Sequence, residues 1–215
     1  MNQVSDPSPA ADSRLTFCGL SIAYDHRVLE PRPWTEAQSQ WAAELLPDAP
    51  AGPVLELCAG VGHIGLGAVR AGDRDLVMVD VNPVAREFAV ANAAANGLGS
   101  RVEFRLARID EALGEDELFP LIIADPPWVR SAETSRFPAD PVLAIDGGDD
   151  GLDLARTCAD LIVGHLTGGG SALLQLGNTA QAELIAAYAG QRSDGAVSAV
   201  ETRVFDRGVV VRLTR

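Results

Sequence analysis

The stretch "VLELCAGVGHIGLGAV", residues 54–69, decides the fold. Val54–Leu57 is a short apolar run broken by a single acid, the pattern of a strand buried on both faces. Gly60 and Gly62 follow at once, where the backbone must turn and can come close to a ligand. From His63 the apolar residues recur at helical spacing, so a helix start presents unbonded N–H groups at the same turn. Strand, glycine turn and helix together read as the opening of a strand–helix–strand unit.

The same alternation extends outward. "LVMV" (76–79), "VEFRL" (102–106), "LIIA" (121–124) and "SALLQL" (171–176) read as strands. "HIGLGAVRAG" (63–72), "NPVAREFAVANAAANG" (82–97) and "DGLDLARTCADLIVGHL" (150–166) read as helices punctuated by glycine. Near-continuous apolar strands alternating with helices imply an α/β chain with a parallel sheet covered on both faces. The end of the chain breaks this rhythm. "AVSAVETRVF" (196–205) and "GVVVRLTR" (208–215) are joined by a short Asp-Arg link with no room for a crossover helix, so an antiparallel hairpin is expected at the sheet edge. Residues 1–13, polar and rich in Pro and Ser, are expected to be a disordered tail. Residues 14–50 form a lead-in with a helix over the site, and residues 51–215 the main domain.

A chain of 215 residues with 47% hydrophobic and 22% charged residues is long enough for one well-buried core. No apolar run is long enough to span a membrane, and no basic-then-apolar signal opens the chain. Cys18, Cys58 and Cys158 are widely spaced and odd in number, which argues against a disulfide framework or a zinc site and points to a reducing cytoplasm. All 17 basic residues are arginine, and the net charge of −13 disfavours a nucleic-acid backbone as partner.

Glu56, Gly60 and Gly62 stand at the first strand-to-helix turn, and Asp80 ends the next strand 18 residues beyond Gly62. That is near the spacing at which a carboxylate, which only accepts hydrogen bonds, takes a ribose diol in doubly wound folds. Gly60, Gly62 and Gly65 form a shifted version of a nicotinamide loop. The GK[ST] ending of a triphosphate loop is absent. Glu56, on the strand before the glycines, favours S-adenosylmethionine.

"ADPPW" (124–128) follows the strand 121–124 at the edge where open α/β sheets bind ligands. Pro126 and Pro127 stiffen the turn and remove two donors, leaving carbonyls and the Asp125 carboxylate to converge as acceptors. Two acceptors can pin an NH2 group and aim its nitrogen at a reactive methyl. Trp128 offers a flat face to a planar amide or base.

An [ND]PP[YFW] tetrad at this place resembles the signature of class I enzymes that methylate amino groups, and the strand pattern is similar to their Rossmann-like, mostly parallel seven-stranded sheet. "FCGLSIAYDHRVLEPRPWTE" (17–36), "AIDGGDDGLDLAR" (144–156), "LLQLGNTAQAE" (173–183) and "FDRGVVVRL" (205–213) resemble, in turn, the lead-in, the Gly-Gly element and the closing strands of the HemK/PrmC glutamine methyltransferases. The resemblance implies S-adenosyl-L-methionine held at Glu56, Cys58, Gly60, Gly62, Asp80, Val81 and Asp125. It implies a reacting nitrogen held by Asp125 and the Pro126 carbonyl, with Trp128 packed on the substrate plane and Arg32, Trp34 and Pro127 nearby. It implies a protein or small-molecule acceptor, no metal, and a partner subunit or second copy in place of the family's helical N-terminal domain. The chain departs from the family at Cys58 (a glycine), Arg108 (an acid), Trp34 (an acid), Gln175 (a Glu) and Asp125 (an Asn). The Asp-Pro-Pro form also resembles adenine and guanine amino methyltransferases, and the departures raise the alternative of a non-catalytic cofactor-binding module. His63 reads as a loop-packing residue, His26 and His165 as structural. Residues 110–117 read as a solvated acidic face, and Arg32, between two prolines, as stiffly held and poised to close over cofactor or substrate.

Overall fold

The computed structural model describes residues 13–215. The expected tail lies outside them except for Ser13, which opens the first strand.

Strands β1 (Ser13–Phe17) and β2 (Leu20–Tyr24) form an antiparallel hairpin. Apolar residues alternate along both, and the two-residue turn Cys18-Gly19 has φ of 47° and 77°. Two positive φ values match the right-handed twist of the strands and close a tight hairpin. A 3-10 turn at Pro33–Thr35 leads into α1 (Glu36–Leu45). Then come β3 (Val54–Leu57), α2 (His63–Val69), β4 (Leu76–Asp80), α3 (Pro83–Ala95), β5 (Val102–Leu106) and β6 (Phe119–Ala124). A short α4 (Val142–Ile145), α5 (Asp153–His165), β7 (Leu166–Leu176), α6 (Thr179–Arg192), β8 (Ser198–Val204) and β9 (Val209–Thr214) complete the chain.

The main sheet has seven strands in the order β5-β4-β3-β6-β7-β9-β8. The first five are parallel, and β9 and β8 are antiparallel at the edge. The expected mixed sheet and edge hairpin are therefore present. Residues 173–183 are a different matter. Only their first part is strand, because the Asn178 side chain accepts from the Gln181 N–H at 3.0 Å and starts α6.

Alternate strand residues feed two apolar layers. Val54, Met78, Leu121, Ile123 and Leu173 pack under the hairpin, α1, α2 and α3. Leu55, Leu57, Val79, Ile122 and Leu174 pack under α5 and α6. Burial on both faces is why these strands are nearly continuous apolar runs, and truncating one such leucine to alanine costs about 2–5 kcal/mol. The order reverses between β3 and β6, so the chain parts at their C-terminal ends and leaves a crevice there. No helix among the described residues is long and apolar enough to cross a membrane.

Candidate active site

A cavity of about 340 Å³ opens at that crevice, walled by Arg32, Cys58, Gly60, Asp80, Val81, Asp125 and Pro127 among others. Its floor is the β3–α2 loop, where Cys58, Gly60 and Gly62 have φ of 57°, 52° and 79°. Asp80 locks this loop: one carboxylate oxygen accepts from the Gly60 N–H at 2.8 Å, the other from the Asn82 N–H at 2.9 Å. A Cβ on Gly60 would meet nothing within 4 Å, so the loop's surface at that residue is open. One on Gly62 would lie 2.7 Å from the Met78 methyl carbon, which fixes glycine there.

Glu56 lies beneath the loop instead of lining the cavity. It is 2% exposed, its Oε1 accepts from the Gly65 N–H at 2.9 Å, and its Oε2 has no partner. Burial pushes it up to about 8. Asp125 stands at the end of β6 in the cavity wall, and burial pushes it up to about 7. Asp80 is also pushed up by burial, against the N–H donors around it. Arg32 and Arg108, the cations of the cavity wall, are already engaged, with Asp140 at 2.6 Å and Asp110 at 2.9 Å. Among the described residues no cation is ion-paired with Asp80, Asp125 or the Glu56 beneath them, and a cavity beside three such carboxylates favours a cationic ligand.

The Gly-Gly element clamps the tetrad. The Val129 N–H donates to the Ile145 carbonyl at 3.0 Å, and the Gly147 N–H to the Val129 carbonyl at 2.8 Å. A Cβ on Gly147 would lie 2.8 Å from the Pro127 oxygen, and one on Gly151 2.6 Å from the Trp128 oxygen. Trp128 itself rests on Gly177, where a Cβ would come within 2.5 Å of the indole, and its carbonyl accepts from Gln181 Nε2 at 3.2 Å. Trp34 stands outside the cavity, with the Arg32 and Arg207 guanidinium carbons 5.7 and 5.4 Å from its ring centre. The cavity therefore brings together Arg32, Cys58, Gly60, Asp80, Val81, Asp125 and Pro127. Glu56, Gly62, Trp34, Pro126 and Trp128 lie around it without lining it.

Sequence reasoning missed Thr35, Leu143 and Thr157 as wall residues, for nothing in their own segments marks them as facing the cavity. His63 also lines the wall. Its Nε2 is 3.3 Å from Thr35 Oγ1, which itself donates to the Arg32 carbonyl at 2.8 Å. Thr35 can then only accept, so the imidazole carries its proton on Nε2. Burial pushes His63 down to about 3, which leaves it neutral and no base. The neighbouring Cys158 thiol and burial hold Cys58 well above the usual thiol range, so it is unreactive. Among the described residues no group of His, Cys, Asp and Glu is arranged to hold a metal.

A nucleoside carrying a sulfonium suits this cavity, and the sheet around it has the order of the Rossmann-like S-adenosylmethionine-dependent methyltransferases. The chain belongs to the methyltransferase small domain family, whose model matches residues 36–143. It is 30% identical over 178 residues to the release factor glutamine methyltransferase of Koribacter versatilis, covering 80% of this chain and 63% of that protein. It is 32% identical over 190 residues to the ribosomal protein uL3 glutamine methyltransferase of Bradyrhizobium diazoefficiens, covering 81% and 59%. The resemblance to HemK/PrmC enzymes is thus borne out, and the chain spans about three fifths of the length of these relatives. Among solved structures, a SAM-dependent methyltransferase from Agrobacterium tumefaciens matches with a TM-score of 0.67 at 16% identity, over 97% of this chain and 71% of that one. The ribosomal protein L11 methylase from Lactobacillus delbrueckii subsp. bulgaricus matches at 0.63 and 15%, over 87% and 81%. At such identities the likeness is one of fold.

Proposed function

We propose that this enzyme methylates the side-chain amide nitrogen of a protein glutamine. One observation carries the reading: the Asp125 carboxylate heads a rigid Pro-Pro turn at the cavity wall, and among the described residues no protein group donates to it. Asp125 is half-buried at the cavity wall, so its free acceptor oxygens are open to a donor that arrives with the substrate.

When bound, S-adenosylmethionine supplies an electrophilic methyl group on a sulfonium. Gly60 and Asp80 would hold its nucleoside and Asp125 would lie on the side of the acceptor. Asp125 and the Pro126 carbonyl take the two amide protons, which fixes the nitrogen and turns its lone pair toward the methyl. The nitrogen gains the methyl as the methyl's bond to sulfur breaks, with the neutral thioether S-adenosylhomocysteine leaving, and the nitrogen so alkylated is acidic and gives up one proton. Asp125, close to neutrality in its titration, receives that proton and passes it to water, leaving an N-methyl amide. An asparagine at this place would hold the amide but take no proton. The relatives named for glutamine methylation support the amide, and the net charge of −13 weighs against a nucleic-acid acceptor.

The test is transfer of labelled methyl from S-adenosylmethionine to unmethylated release factor and to unmethylated ribosomal protein uL3. Label on a glutamine of either supports the reading. Label only on RNA or DNA, with none on protein, overturns it.

A further inference from the structure

Gln38 is fully buried on α1, on the helix face that places Trp41 and Ala42 in an apolar layer. Its Nε2 donates to two main-chain carbonyls, Ala124 at 3.0 Å and Leu173 at 3.0 Å. Both partners are acceptors only, so the amide orientation is fixed and Oε1 must face away from them. That oxygen is buried and has no partner. An apolar side chain would spare that oxygen its desolvation but take the donor from two buried carbonyls, so what the amide supplies here is the link between those two carbonyls.

The place of the two bonds is informative. Ala124 is the last residue of β6, and its carbonyl belongs to the peptide bond that leads into Asp125. Leu173 lies on β7, which pairs with β6 through Ala124↔Leu174 and then has no further partner on it. One amide thus holds the oxygen of the peptide unit next to Asp125 and ties it to the neighbouring strand where the ladder ends. The prolines stiffen the turn after Asp125, and Gln38 stiffens the step before it.

We infer that Gln38 is a positioning residue for methyl transfer: it holds the Ala124–Asp125 peptide by its oxygen, so that the Asp125 carboxylate meets the acceptor nitrogen at one fixed place. This rests on the role proposed above for Asp125. Gln38 touches neither cofactor nor acceptor, and it acts through the main chain. Losing the anchor lets the carboxylate shift by a fraction of an ångström to an ångström, enough to cost a transfer reaction about tenfold or more.

The test is Gln38→Met, which keeps the length of the side chain and removes both N–H donors. In the methyl-transfer assay kcat is expected to fall about tenfold or more, with the acceptor KM and the affinity for S-adenosylhomocysteine within about twofold of the parent. A second readout needs no acceptor. In protein labelled with 13C at the aspartate carboxyls, the Asp125 signal, assigned by its loss in Asp125→Asn, is titrated in parent and variant. Freed from its anchor, Asp125 is expected to titrate lower by about half a pH unit or more, toward an ordinary carboxylate, while Asp80 stays put. An unchanged Asp125 titration, or an unchanged kcat, overturns the inference. If Gln38→Met does not fold, Gln38→Leu, which is shorter and likewise has no donor, is read the same way. If neither release factor nor uL3 is methylated, the proposed acceptor fails, and the titration alone still decides for or against Gln38.

Discussion

Asp125→Asn keeps the volume of the side chain and one acceptor oxygen while removing the charge and the place for a proton. With Asp125 pushed up to about 7, about one carboxylate in eleven is ionised at pH 6 and about ten in eleven at pH 8. A transfer that uses the ionised form therefore quickens about tenfold over that interval in the parent, and the asparagine variant lacks this rise. Other titratable groups lie at or beneath the cavity. Glu56, near 8, is held beneath the loop on the Gly65 N–H; Asp80 is bonded to Gly60 and Asn82; and His63, near 3, is neutral throughout. The Asp125 charge helps hold Glu56 up, so Glu56 shifts down in the variant, but it lies beneath the loop and the lost rise between pH 6 and 8 belongs to Asp125. The same burial sets a stability effect that needs no acceptor. Unfolded, the group ionises near 3.9; folded, near 7; between these values the folded chain keeps a proton the unfolded one has lost. Stability therefore falls as pH rises from about 4 to about 7. Three pH units amount to about 4 kcal/mol at pH 8, an upper bound because Asp125 faces a cavity. Asp125→Asn escapes this cost. It should be more stable than the parent by up to that amount at pH 8, and by about a third of it at pH 5, as read by urea unfolding. A stability gap that does not change with pH, together with parallel rate profiles, refutes the reasoning.

Other consequences concern the cofactor loop. Asp80→Ala removes the acceptor of the Gly60 and Asn82 N–H groups, and affinity for S-adenosylhomocysteine by calorimetry should fall about tenfold or more; an unchanged affinity contradicts that role. A Cβ on Gly65 would overlap Glu56 Oε2, so Gly65→Ala should cost about 1–3 kcal/mol. Glu56→Asp in the same chain withdraws the carboxylate by one methylene and should recover most of that loss. Simple additivity of the two in urea unfolding would contradict the contact. Cys58 has a φ of 57°, a region costly for residues with a Cβ and worse for branched ones. Cys58→Val should lose about 2 kcal/mol in thermal unfolding while Cys58→Gly stays within about 1 kcal/mol of the parent; equal losses would refute the strain.

The parts that were legible in the sequence are those with a short-range physical signature. β3, β4, β6 and the second half of β7 are buried on both faces, so they stand out as nearly continuous apolar runs, with Glu56 and Gln175 the polar exceptions inside them. The glycines of the β3–α2 loop and the tetrad after β6 mark sharp turns, and the sheet brings both to one cavity. The β1–β2 hairpin was not legible, because its turn is Cys-Gly, where the usual marker of two positive φ values is Asn-Gly or Asp-Gly. Trp128 was readable as an aromatic at the right place but not as one resting on Gly177, a contact 49 residues away along the chain. Thr35, His63 and Leu143 reach the cavity only through the packing of α1, α2 and α4. Gln38 carries no short-range signal, and only its two carbonyl partners on β6 and β7 distinguish it.

The most direct measurement is the site of methyl incorporation: the enzyme is incubated with labelled S-adenosylmethionine and separated protein, RNA and small-molecule fractions of a cell extract, and the labelled product is digested and identified by mass spectrometry. An Asp125-dependent N-methyl group on a glutamine side chain of a protein is the predicted result. Label confined to a nucleobase amino group, or equal incorporation by Asp125→Ala, would contradict it.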